Sequence, residues 1–353
     1  MAMRLAMFST KPYDKKYFLA AQAAHGPSPS LLHLIFHEVS LTDDTAPLAQ
    51  GADAVCVFVN DSLPPTVITK LASLHVQAIL LRCAGYNNVH LETAEQHGLA
   101  VANVPSYSPE AVAEFAVALI QTLNRNTHRA YNRVREGNFA LDGLLGRTLH
   151  GKTVGIVGTG NIGLATARIM RGFGCRVLGF DPYPAREVLE EDIGGKYASL
   201  EELLSESDII SLHCPLTDST RHIVNAGTIG AMKRGVVLVN TSRGGLIDTE
   251  AVIHALKSGQ IGGLALDVYE GEGALFYDDH SGEVIQDDIL MRLTTFHNVL
   301  VSGHQAFFTA EALTEIAECT LRNAQDLART GTCKNMLTTK VLERRACLPV
   351  RNV

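Results

Sequence analysis

Apolar residues along this chain come in short blocks separated by longer amphipathic stretches, the rhythm of alternating strands and helices. In the first hundred residues the blocks Arg4–Phe8, Leu31–Val39, Ala54–Val59, Ala78–Arg82 and Leu99–Asn103 read as strands. Asp14–Ala24, the stretch from Pro64-Pro65 to about His75, and Val89–His97 read as the helices between them. Pro105-Ser106-Tyr107-Ser108-Pro109 breaks this rhythm. A long helix follows to about Arg125, with Ala111, Val112, Phe115, Ala116, Leu119, Ile120 and Leu123 on one side, an apolar face that suggests a pairing surface. The Gly and Asn content of Arg135–Gly151 reads as loop.

The alternation then resumes with strands at Thr153–Val157, Cys175–Phe180, Asp208–Leu212, Val236–Asn240, Gly263–Asp267 and Val299–Val301. Helices are predicted over Asn161 to about Phe173, Leu200–Ser205, Thr249–Ser258 (Asp248 as N-cap, Gly259 as stop) and Thr309 to about Ala328. Most strands are followed by a helix, which predicts an α/β protein with two parallel sheets. The second sheet has about six strands, the doubly wound arrangement. The final helix is expected to return to the first domain, and the basic tail from Gly331, with no clear period, is expected to be partly loose.

One junction carries chemistry. Thr153–Val157 is β-branched apart from one Gly and runs into Gly158-Thr159-Gly160-Asn161-Ile162-Gly163, a G-x-G-x-x-G motif at the start of a helix. Gly158 permits the turn, Gly160 admits a pyrophosphate close to the backbone, and Gly163 lets the helix pack on the strand. The helix start then offers free N–H groups to phosphate. Asp181 ends the next strand, 18 residues past Gly163, where a carboxylate can bind a ribose 2′-OH. An acid there, followed by Pro182-Tyr183 rather than Arg, favours NAD over its 2′-phosphorylated form.

Ligands in such a sheet sit beyond the carboxyl ends of its strands. Just past three of those ends stand Arg243, Glu272 and His304. Any one alone reads as an ordinary surface or structural residue; their convergence points to a site. A guanidinium can hold a carboxylate in a fork. An imidazole, which ordinarily titrates near ~6.5, can exchange a proton with a carbonyl oxygen as hydride moves, and a carboxylate can fix its tautomer. Together they suit a 2-oxo or 2-hydroxy acid.

Composition narrows the classes. The chain has 353 residues, 46% of them hydrophobic, enough for two domains, and no apolar run long enough for a membrane span. A net charge of −7 with scattered basic residues argues against nucleic acid. Met1–Phe8 reads as a first strand rather than a leader. Seven cysteines without C-x-x-C spacing, several in apolar runs, read as reduced thiols in a cytoplasmic protein, with no metal site expected.

Arg82-Cys83-Ala84-Gly85-Tyr86-Asn87-Asn88, Leu123-Asn124-Arg125 with His128-Arg129-Ala130-Tyr131, Asn240-Thr241-Ser242-Arg243-Gly244 and Gly303-His304-Gln305-Ala306-Phe307 carry a resemblance. The chain resembles the D-isomer-specific 2-hydroxyacid dehydrogenases, nearest the bacterial fermentative D-lactate dehydrogenase branch, from about Arg4 to about Met336. The resemblance implies reversible NADH-dependent reduction of pyruvate to D-lactate, with Arg243 on the substrate carboxylate, Glu272 as the histidine's partner and His304 as acid/base. It implies that Gly160, Asn161, Ile162, Asp181 and Asp267 lie near the cofactor, that Cys214, Thr220 and Thr241 line the same cleft, and that Ala84, Gly85, Tyr107 and Phe307 shape the substrate pocket. It also implies a flavodoxin-like substrate domain split over 1–104 and 305–353, an NAD domain at 105–304 inserted into it, and a homo-oligomer, dimer or tetramer. Gly271 and Gly273 stand where bulkier residues are usual, which implies a looser loop around Glu272. Another 2-oxo acid, such as hydroxypyruvate, glyoxylate or a bulkier one, remains open as substrate, as does an NAD-sensing regulator without activity; the complete Arg243, Glu272, His304 set weighs against the second.

Overall fold

The computed structural model describes residues 2–24 and 32–338. Leu31, expected to open the second strand, and the tail beyond Thr338 lie outside the described residues. The chain divides into two compact units, 1–108 with 308–353 and 109–307, against expected junctions at 104/105 and 304/305.

Unit 1 holds β1 (Met3–Met7), α1 (Pro12–Ala24), β2 (Leu32–Phe36), β3 (Ala54–Val57), α2 (Pro65–Ser73), β4 (Ala78–Leu81), α3 (Leu91–Gln96) and β5 (Ala100–Ala102). The strands form one parallel sheet in the order β2-β1-β3-β4-β5, the flavodoxin-like order. β3, β4 and β5 are buried at every position, as a sheet covered on both faces requires. One cover comes from the far end of the chain. The helix Ala310–Thr330 places Ala317, Leu321, Ala324 and Leu327 against Leu5, Met7, Cys56, Leu80 and Phe18, a stripe at helical spacing. It starts on Thr309, whose hydroxyl accepts the Ala312 N–H, and stops at Gly331. The stretch after it is not loose where it is described. Met336 bridges Ala102, the Leu337 N–H donates to the Val101 carbonyl (2.7 Å), and the Thr338 hydroxyl accepts the Val101 N–H (2.9 Å).

Unit 2 opens with α4 (Pro109–Arg125) and α5 (Thr127–Arg135). It continues with β6 (Thr153–Val157), α6 (Asn161–Gly172), β7 (Arg176–Phe180), β8 (Lys196–Tyr197), α7 (Leu200–Glu206), β9 (Ile209–Leu212) and α8 (Ala226–Ala231). β10 (Val236–Asn240), α9 (Thr249–Ser258), β11 (Ile261–Leu266), α10 (Asp288–Thr294) and β12 (Val299–Val301) complete it, and the helix Ala310–Thr330 of unit 1 is therefore α11. All seven strands are parallel, in the order β12-β11-β10-β9-β6-β7-β8. The strand beyond the expected six is β8, two residues long. Alternate residues feed two cores. Val154, Ile156, Val239 and Ala265 face α4 and α6, while Val157, Leu238, Leu264 and Leu266 face α7, α8 and α9.

The structure reassigns the apolar face of α4. Ala116, Ile120 and Leu123 are buried within unit 2, in the core shared with Ala167 and Met170 of α6, so that face is not a pairing surface. The surface next to it is apolar instead. α5 has no buried residue, and Phe139, Leu141 and Leu145 in the following loop are 74%, 81% and 95% exposed.

Candidate active site

β6 delivers the chain to Gly158, whose φ of +92° is open to glycine, and whose N–H donates to the Phe180 carbonyl of β7 (2.8 Å). A side-chain carbon at Gly163 would overlap the Gly158 carbonyl, so the first turn of α6 seats directly on the turn. Gly160 faces open space, and no side chain caps α6. The start of α6, from Asn161 and Ile162, is therefore an uncapped helix end with N–H groups to offer. Asp181 is fixed beside it: one carboxylate oxygen accepts the Thr159 N–H (2.7 Å) and the other the Tyr183 N–H (2.8 Å).

Cys214 follows β9, buried, with its backbone against Gly158 and its carbonyl accepting the Ser242 hydroxyl (2.7 Å). Burial pushes its thiol up to about 11, so it stays protonated. Thr241 at the end of β10 is buried with a hydroxyl that has no hydrogen-bond partner among the described residues. Thr220 turns inward instead: its hydroxyl donates to the Pro215 carbonyl (2.7 Å) and accepts the Thr217 N–H (2.8 Å), which shapes its own loop. The uncapped helix, the open approach at Gly160, the placed carboxylate of Asp181 and the orphaned hydroxyl of Thr241 fit a dinucleotide.

Three neighbouring strands, β10, β11 and β12, carry Arg243, Glu272 and His304 just beyond their carboxyl ends. Glu272 and His304 meet: Oε1 lies 2.9 Å from Nδ1, and the Glu272 Oε2 accepts the Tyr269 N–H (2.8 Å). Both side chains are mostly buried, 21% and 13% exposed, which limits screening of the pair. The Arg243 guanidinium donates to the Ser242 carbonyl (2.7 Å), and among the described residues it forms no ion pair. That leaves its charge for an anionic ligand.

The His304 loop is built for one conformation. His304 itself has φ +53°, a left-handed geometry that costs a non-glycine residue strain and needs its surroundings to hold it. Asp267 does so. Fully buried, it accepts the Ser302 hydroxyl (2.7 Å) and the Gln305 and Ala306 N–H groups (both 2.9 Å), while its carbonyl accepts the His304 N–H (2.8 Å). Its carboxylate is thus engaged in the loop. The Tyr277 phenol donates to the His304 carbonyl (3.2 Å), with the two rings 5.9 Å apart. Sequence reasoning missed Tyr269, Tyr277 and Ser302; none sits in a periodic element or a motif.

Of the remaining residues, Phe307 is buried in unit 2. Ala84, Gly85 and Tyr107 belong to unit 1. There the Ala84 carbonyl accepts the Asn103 amide (2.7 Å) and the Gly85 carbonyl the Cys83 thiol (3.3 Å). Arg82 beside them is 1% exposed and anchors the strand end, donating to Asp14 (3.2 Å) and to the Ser9 carbonyl (2.7 Å).

Comparison with known proteins agrees with this geometry. Residues 117–306 match the sequence model of the D-isomer specific 2-hydroxyacid dehydrogenase, NAD binding domain. The D-lactate dehydrogenase kk1H of Curvularia clavata is 64% identical over 327 residues, 93% of each chain. The 2-hydroxyacid dehydrogenase A of Aspergillus oryzae is 62% identical over 335 residues, 95% of each. The apo-structure of D-lactate dehydrogenase from Escherichia coli superposes with a TM-score of 0.84 at 50% identity, covering 95% of this chain and all of that one. With the glycine turn, the placed Asp181 and the Glu272–His304 pair on one sheet edge, the chain belongs to the D-isomer-specific 2-hydroxyacid dehydrogenases, NAD-dependent oxidoreductases.

Proposed function

We propose that this enzyme catalyses the reversible NADH-dependent reduction of pyruvate to D-lactate. The observation that carries the reading is the Glu272–His304 hydrogen bond at the carboxyl edge of the sheet, next to the strand that presents Arg243. When bound, the nicotinamide supplies hydride to a carbonyl carbon. Arg243 holds the neighbouring carboxylate in its fork. With Nδ1 occupied by Glu272, Nε2 is the nitrogen of His304 left to give a proton to the carbonyl oxygen, and to take it back in the reverse direction. Glu272 fixes that tautomer.

The assignment of Gly158, Gly160, Asn161, Ile162, Gly163, Asp181, Cys214, Thr220 and Thr241 to the cofactor belongs to the same proposal. So does a domain division in which the stretch 105–304 binds NAD and the two chain ends, 1–104 and 305–353, form the substrate domain. Asp267 contributes there through the loop it holds. Ala84, Gly85, Tyr107 and Phe307 are assigned to the substrate. The buried, reduced thiols of Cys56, Cys175, Cys214 and Cys319 support a cytoplasmic location, and a reaction that consumes NADH suits a fermentative role. Self-association is proposed through α5 and the loop carrying Phe139, Leu141 and Leu145, because exposed apolar side chains clustered in one stretch mark an interaction surface.

Steady-state oxidation of NADH with a panel of 2-oxo acids, followed by stereochemical assay of the product, tests the reading. Pyruvate should be preferred, the product should be D-lactate, and NADPH should be a poor substitute because Asp181 meets a 2′-phosphate with like charge. A strong preference for hydroxypyruvate, L-lactate as product, or equal efficiency with NADPH would each contradict it.

A further inference from the structure

Tyr269, the third residue beyond β11, is in contact with Glu272, with Asp287 and with Gly244 beside Arg243. Its phenol is buried and lies 3.0 and 2.9 Å from the two oxygens of Asp287. Asp287 also accepts the Leu290 N–H (2.8 Å), which caps α10, the helix that leads into β12 and His304. The backbone of the same residue works in the other direction. The Tyr269 N–H donates to Glu272 Oε2 (2.8 Å), and the Tyr269 carbonyl accepts the Glu272 N–H (3.3 Å). Gly244, next to Arg243, packs against the Tyr269–Glu270 peptide so closely that a side-chain carbon there would overlap it. At Gly271 such a carbon would fall 2.8 Å from the Tyr269 ring and 3.1 Å from Asp287. Gly271 therefore lets the loop close over the tyrosine, while Gly273 on the other side of Glu272 faces open space.

We propose that Tyr269 is a positioning residue: its phenol–Asp287 bond sets the peptide that orients Glu272 toward His304 and against which the Arg243 loop rests. This rests on the acid/base reading above. Without the phenol bond the 268–270 peptide can rotate, Glu272 loses the N–H that aims its second oxygen, and the Oε1–Nδ1 contact loosens. The charged and titratable groups facing this loop are Asp287 beneath the phenol, Glu272 and His304 on the inner side, and Glu270 on the outer side, paired with His222 (3.1 Å) and Arg221 (3.6 Å). Tyr277 faces the His304 carbonyl. Burial and the Asp287 charge push the Tyr269 phenol upward, which keeps it a donor through the working range of pH.

The test compares the full-length enzyme with Y269F, E272Q, the double variant Y269F/E272Q, G271A and H304A. The readouts are kcat, KM for pyruvate, NADH affinity by fluorescence, and the pH profile of kcat/KM. Y269F should lower kcat by roughly 10-fold to 10²-fold, the scale of a small misplacement of catalytic groups. NADH affinity should hold, and the pH profile should move in the same direction as in E272Q. In the E272Q background the same change should cost little more, since both act through one carboxylate. G271A, which drives a methyl group into the ring, should reproduce the Y269F behaviour without removing any hydrogen-bonding group. A Y269F enzyme with wild-type kcat and pH profile, or one whose loss multiplies fully with that of E272Q, overturns the proposal. Loss of activity in E272Q and H304A beside an unaltered Y269F removes this inference alone. Full turnover in E272Q and H304A removes the acid/base reading and this inference with it.

Discussion

His304 occupies a strained left-handed backbone position, faces Glu272 through Nδ1, and is held by the Asp267 carbonyl. His304→Ala should lower turnover by ~10²–10⁴, the usual contribution of a general acid or base, with cofactor affinity kept. Arg243→Ala should instead chiefly raise KM for pyruvate, because the guanidinium binds rather than transfers; matched kcat losses in the two variants would merge their roles. A second prediction concerns stability. His213 donates or accepts across 2.8 Å to the Ser211 hydroxyl, and burial lowers its pKa to about 4. The unfolded chain takes up that proton near 6.5, the folded chain only near 4, so the folded state binds fewer protons between these values. Stability from this group is therefore complete above pH 6.5 and is lost as pH falls toward 4, by up to about 3 kcal/mol. Chemical denaturation at pH 7 and pH 5 should show the loss, and His213→Gln should flatten it; an unchanged slope would assign the loss to other groups. At this scale the sequence was informative where motif and strand end coincide, as at Gly158, Asp181 and Arg243. The family resemblance alone pointed to Asp267, and its three bonds to the His304 loop were not legible, because they join residues 35 to 39 positions apart.

The elements divide by how much apolar surface they bury. α4, α6, α9 and α11 each have a buried stripe at helical spacing, and all four were legible with their starts and stops. α5 was not, because it buries nothing; α8 reads Ala-Gly-Thr-Ile-Gly-Ala and is set by the capping box at Asn225; β8 is two residues. Such elements are decided by caps and tertiary pairing, which periodicity does not register. α10 belongs with them, seven residues started by the Asp287 cap. α11 shows what a buried stripe contributes. Leu321 is 1% exposed in the core against β1 and β4, and Leu321→Ala should cost ~2–5 kcal/mol by removing packed methyl groups and leaving a cavity. Thermal unfolding would measure it, and a loss well under ~1 kcal/mol would mean the site collapses to fill the space.

For the whole molecule, the stretch at Phe139, Leu141 and Leu145 gathers three strongly exposed apolar side chains within seven residues, and the proposed self-association rests on it. Replacing Leu141 and Leu145 by Ser should shift the sedimentation coefficient toward the monomer without loss of folded structure; an assembly unaffected by both changes would move the contact elsewhere. The two-unit layout was legible from the strand–helix rhythm, and the return of the last helix from the length left over. What the rhythm could not show is which face α11 would cover.

That covering has a consequence for synthesis on the ribosome. The middle unit is one uninterrupted stretch and owns all of its strands and helices, so it can finish folding while the chain is still growing. The earlier-made sheet of β1 to β5 keeps Leu5, Met7 and Leu80 without the cover of α11 until Leu321 and Leu327 leave the exit tunnel. The segment translated first is therefore completed last, and during that interval its bare apolar face is what a nascent-chain chaperone would meet.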